Sequence, residues 1–152
     1  MTRHQISNAI RKALEASQYS TLFRKQHGGC IYLCFEMNDG DVKVCPPEQG
    51  CGALLMFPDQ VKEDTIIVST DVIRLPQDMD EGSIAEKLIK INAVNKGIRY
   101  EVPFLYHASP GINRAVLVIK EVRSMTEDDV SINLPAGIEE VLKATAAFVE
   151  HF

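Results

Sequence analysis

The chain has no tryptophan, only 7% aromatic residues and no excess of positive charge. Its 16 basic residues against 21 acidic ones give a net charge of −5. Nucleic acid is therefore not an expected partner, because phosphates demand a basic footprint. The one basic cluster, Arg24, Lys25 and His27, is too small to line a groove. No stretch of about 18 apolar residues occurs, so no membrane span is expected. Met1 to Ala16 alternates charged and apolar residues, unlike a secretory leader, and a cytoplasmic location follows as the expectation.

Catalytic and cofactor signatures are missing too. The four cysteines include no Cys-x-x-Cys pair, which removes the usual zinc and redox spacings. Glycine-rich phosphate loops are absent, as is the Gly-x-Ser-x-Gly elbow of α/β-hydrolases. No cofactor is expected.

What is present is an ordinary globular composition. An apolar fraction of 45% and a charged fraction of 24% argue against disorder. A chain of 152 residues is most simply one domain, spanning 1–152, that buries roughly 68–70% of its unfolded surface.

The pattern of elements favours α+β. Thr2 and Gln5 form a capping box ahead of Ile6, Ala9, Ile10, Ala13 and Leu14, which predicts a first helix of about three turns. Cys30 to Phe35 is a dense apolar run, and Met37-Asn38-Asp39-Gly40-Asp41 is a hairpin turn leading into Val42 and Val44. Pro46 to Gly52 reads as a loop, Ala53 to Phe57 as a short strand, and Thr65 to Leu75 as a β-branched strand. Ser83 with Glu86 predicts the cap of a second helix through Ile84, Leu88 and Ile91, with Gly97 closing it. Strands follow at Ile98–Tyr106 and Ala115–Val122, then an acidic connection at Thr126–Asp129. Pro135 suits the first turn of a closing helix whose stripe is Ile138, Val141, Leu142, Thr145, Phe148, Val149 and Phe152. The order is helix, three or so strands, helix, two strands, helix: an antiparallel sheet covered by helices.

Cysteine chemistry would need a partner such as His27 or His107, but Cys30 and Cys34 lie in an apolar strand where cysteine packs as a small hydrophobe. A metal site from His27, Cys30 and Cys34, or from Cys45 and Cys51, lacks regular spacing. The acidic runs at Asp39/Asp41, Glu63/Asp64, Asp78/Asp80/Glu81 and Glu127/Asp128/Asp129 fall in turns or before helices, where carboxylates cap and complement the helix dipole. Tyr100, Phe104 and Tyr106 share one strand face at a period of two, either as core beneath the helices or as a contact surface.

This order resembles the superfamily that joins type III secretion chaperones to YbjN-type bacterial proteins. Ala85-Glu-Lys-Leu-Ile-Lys-Ile-Asn92-Ala-Val-Asn95 is similar to the second helix of YbjN-like proteins. Thr65–Pro76 resembles their third strand, and Leu134-Pro-Ala-Gly-Ile-Glu-Glu-Val-Leu the start of their last helix. The segment Pro46–Glu63 is longer than that pattern, and His107–Asn113 replaces its short acidic hairpin. The resemblance implies a small bacterial protein without enzymatic activity that often dimerises and binds an extended partner segment or modulates a regulatory pathway. Binding would use a sheet edge or apolar groove, with Tyr100, Phe104, Tyr106, Leu88 and Ile91 as the expected contact residues. The competing expectation is a small cysteine-dependent enzyme or metal-binding protein.

Overall fold

The computed structural model describes residues 1–19, 23–25, 31–38, 41–45, 52–75, 78–94, 97–102 and 115–151. Helix α1 (Arg3–Glu15) opens on the expected capping box. Thr2 accepts from the Gln5 N–H, and the Gln5 side chain accepts from the Thr2 N–H in return. Its buried face is Ile6, Ala9, Ile10, Ala13 and Leu14, the set its spacing predicts.

Six described strands follow: β1 (Phe23–Lys25), β2 (Ile31–Asn38), β3 (Asp41–Cys45), β4 (Gly52–Pro58), β5 (Thr65–Thr70) and β6 (Ile73–Arg74). Then come α2 (Glu81–Val94), β7 (Ile98–Glu101), β8 (Ala115–Arg123) and α3 (Glu127–His151). All described strand pairs are antiparallel, and the fold is α+β with three described helices packed on the sheet. β2 carries β4 on one flank and both β1 and β3 on the other. β8 carries β5 on one flank and β7 on the other.

The first strand block is more finely divided than its sequence suggests, and the Thr65–Leu75 segment shows why. Ser69 pairs with Ile119 and Ile73 with Val116, so three residues oppose two. This bulge splits β5 from β6. The buried Thr70 hydroxyl then accepts from the Val118 N–H (2.9 Å), replacing a main-chain partner where the ladder breaks.

Two helix starts differ from expectation. α2 begins two residues before Ser83, because Asp80 supplies the cap: its Oδ2 accepts from the Ser83 N–H (3.2 Å). α3 begins eight residues before Pro135. Thr126 and Asp129 cap each other's main-chain N–H groups (3.1 and 3.2 Å), so the acidic stretch is the helix's first turn. Buried Val130 and Leu134 extend the apolar stripe backwards, which outweighs the hydrogen bond that Pro135 cannot make inside the helix.

One core joins these parts. Leu54 and Met56 of β4, Ile66 and Val68 of β5, and Val116 and Val118 of β8 alternate towards the helices. They meet Ile10 and Leu14 of α1 and Leu134, Ile138 and Val141 of α3. Each such side chain contributes roughly 1.5–3 kcal/mol on burial. α3 packs on β8, β5 and β3, α1 packs on α3 and β4, and α2 lies along β7.

Gly137 sets the closest approach of α3 to the sheet. A Cβ there would stand 2.8 Å from Val122 Cγ2. Gly137→Ala is expected to destabilise the protein by about 1–3 kcal/mol through overpacking, exceeding the roughly 1 kcal/mol that alanine gains in helix propensity. Urea unfolding measures this, and an unchanged or higher midpoint would contradict the packing described.

Candidate functional site

The expected contact residues are scattered between interior and surface. Tyr100 is 3% exposed and Leu88 8%, and both belong to the core, with Ile91 packed half-buried against it. Phe104 and Tyr106 lie outside the described residues, as do Cys30, Cys51, His27 and His107.

Tyr100 holds three elements together. Its ring stacks on Phe148 of α3 (centroids 5.6 Å apart, planes at 27°), and its hydroxyl donates to the Ala144 carbonyl (3.3 Å). Burial pushes the phenol above its ordinary pKa. The Tyr100 main chain faces away from β8 and is taken by Asn92 of α2. Asn92 Oδ1 accepts from the Tyr100 N–H (2.9 Å), and Nδ2 donates to the Tyr100 carbonyl (3.1 Å). This side-chain amide mimics a peptide unit of a neighbouring strand. The position where an incoming strand would pair is occupied.

The other face of β7 is charged and paired. Arg99 reaches Glu101 and Glu121 (3.5 Å each), and Lys62 closes on Glu121 at 2.9 Å. Exposed pairs of this kind are worth about 0–1 kcal/mol each, and they lie beside half-buried Leu117 on the same face. On α2, Ile89 is 69% exposed between exposed Ala85 and Ala93, a ridge holding a single large side chain.

Two clefts remain. The first, about 590 Å³, lies between the start of α1 and the β4–β5 turn. Several of its polar groups pair with one another. Met1 pairs with Asp64 (3.0 Å), Arg3 donates to the Gln60 carbonyl (2.8 Å), and Asp59 accepts from the Val61 and Lys62 N–H groups. The Val61 hydrogen bond is the main reason that the Asp59 carboxyl is held below its ordinary range.

The second cleft, about 460 Å³, runs between the end of α1 and α3. Ala13, Ala16, Pro135 and Ala136 give it a shallow apolar lining, and Ser17, Gln18, Ser131 and Glu139 supply polar groups. Pro135 has no N–H, so it cannot donate to the Ser131 carbonyl on this wall. At 3.6 residues per turn Ile132 projects on the same side of α3 as Ala136 and Glu139. It is 72% exposed, and Met125 just ahead of the helix is also exposed. Glu127, Asp128 and Asp129 make this end of α3 acidic.

Among the described residues no group of three His, Cys, Asp or Glu side chains could hold a metal, and no helix is long and apolar enough to cross a membrane. No family model matches the chain, and no curated protein matches it significantly.

The Tyr100 cluster can be tested directly. Tyr100→Phe should cost about 1 kcal/mol at neutral pH by losing the bond to Ala144. A raised phenol pKa stabilises the fold fully below the unfolded value near pH 10. That contribution is lost as pH rises through the folded value, so the variant should show a shallower alkaline loss of stability in denaturant titrations. Asn92→Ala should cost about 1–3 kcal/mol and speed amide exchange at Tyr100 more than elsewhere in β7 and β8. Uniform exchange across β7 and β8 would refute the edge-closing role.

Proposed function

We propose that this chain is a cytoplasmic, non-enzymatic protein-binding module, chaperone-like or regulatory, that holds an extended segment of a partner protein in the α1–α3 cleft. The observation that carries this reading is the exposed Ile132 beside a lining of small side chains. Burying an isoleucine is worth roughly 1.5–3 kcal/mol, and alanines let a partner backbone come close. The Ser131 carbonyl offers a main-chain acceptor to an incoming N–H, and the acidic first turn of α3 favours basic residues at that end of the segment. Asn92 on the edge of β7 favours a groove over strand addition there.

The order helix, strands, helix, strands, helix supports kinship with the type III secretion chaperone and YbjN-like superfamily. Self-association through α2 is the weaker reading. One isoleucine between two alanines falls far short of the roughly 800 Å² per partner that a stable interface buries.

The test uses the full tagged chain and an Ala136→Arg variant, both isolated from the native host. The partner's binding segment is then synthesised and titrated against each. The variant should keep the wild-type unfolding midpoint and lose at least about tenfold in affinity, or 1.4 kcal/mol. Equal binding to both forms, or a wild-type preparation without a stoichiometric partner, would overturn the assignment.

A further inference from the structure

The β2–β3 hairpin sets Cys34 directly opposite Cys45. Asn38 and Asp41 form its last pair across a two-residue link, and a pair closing so short a link exchanges both main-chain hydrogen bonds. Pair types alternate along an antiparallel ladder, so Glu36↔Lys43 and Cys34↔Cys45 are of that same type. The Cα atoms of such a pair stand about 5.5 Å apart. That lies inside the roughly 4.4–6.8 Å that a disulfide spans. Opposed residues also share one face of the sheet. Their Cβ atoms are typically about 4.5–5.5 Å apart, against a mean near 3.8 Å for relaxed disulfides. Closure therefore requires local twisting of the hairpin, and a bond made that way reopens readily.

We infer that Cys34 and Cys45 form a reversible dithiol–disulfide pair, a redox-modifiable site on the β2–β3 hairpin. The oxidant is a small-molecule disulfide of the glutathione class. One cysteine thiolate attacks a sulfur of that disulfide and releases the first small thiol. The second cysteine then attacks the protein sulfur of the mixed disulfide and releases the other. One S–S bond breaks and one forms. Two electrons pass to the oxidant, and the two cysteine protons end on the released thiols. The pair depends on strand register alone and does not rest on the partner-binding reading.

The test uses the full-length chain carrying Cys30→Ser and Cys51→Ser, with its circular dichroism compared with wild type. Glutathione disulfide should give a monomer lighter by two hydrogens and without titratable thiols, and excess reduced glutathione should restore both. In the wild-type chain, peptide mapping after the same treatment should find Cys34 joined to Cys45. Persistent free thiols, two glutathione adducts, or a covalent dimer would overturn the pair. So would linkage through Cys30 or Cys51 in the wild type, or a bond that reduced glutathione leaves closed.

Discussion

The close approach of α3 to β8 is the contact on which the other parts depend. It exists because residue 137 carries no side chain where a Cβ would meet Val122 at 2.8 Å. At that separation Ile138 and Val141 reach the apolar face of the sheet, and Lys120 can meet Glu140 (2.6 Å) along the flank. The same placement carries Phe148 to Tyr100 and gives α1 a surface to pack on. The α1–α3 cleft is therefore a by-product of core packing. Its lining is small because Ala13 and Ala136 stand where the two helices part.

A second constraint is that main-chain groups interrupted by irregularity need substitutes. Thr70 serves Val118 where the β5–β6 bulge breaks the ladder, and Asn92 serves both main-chain groups of Tyr100 at the edge of β7. Thr126, Asp129 and Asp80 do the same for helix starts. Pro135 works in the opposite direction by withholding a donor from Ser131.

How much of this was legible from sequence depended on whether the signal was local. The Thr2/Gln5 box and the α1 stripe each lie within a few residues and stand as read, while the Met37–Asp41 turn stands as a hairpin with Met37 and Asn38 drawn into the strand. The start of α3 was readable in principle from Thr126-x-x-Asp129 with Val130 and Leu134 spaced by four. A proline at position 135 drew the boundary instead, since proline at a first helical turn is the commoner arrangement. That displacement hid Ile132, which becomes an outlier from the buried stripe only once residues 127–134 are helical. The bulge, the Asn92–Tyr100 bridge and the Cys34–Cys45 pairing each depend on tertiary register, which no local pattern encodes. Tyr100 fits the core alternative for the strand aromatics, because an aromatic alternation has the same period whether it faces helices or a partner.

Recognition surfaces on such a fold are what remains after the sheet has been protected from unwanted pairing. Along β7, Asn92 takes the edge, and Arg99, Glu101, Glu121 and Lys62 pair across the adjoining face. A partner pairing with that edge would have to displace the two Asn92 hydrogen bonds, and one lying on the adjoining face would have to separate ion pairs. At the α1–α3 cleft the opposite holds: Ile132 already meets water, and the lining offers little to displace. Since the favourable term in association is chiefly apolar burial and the opposing terms include polar desolvation, the proposed cleft opposes binding less than the β7 edge does.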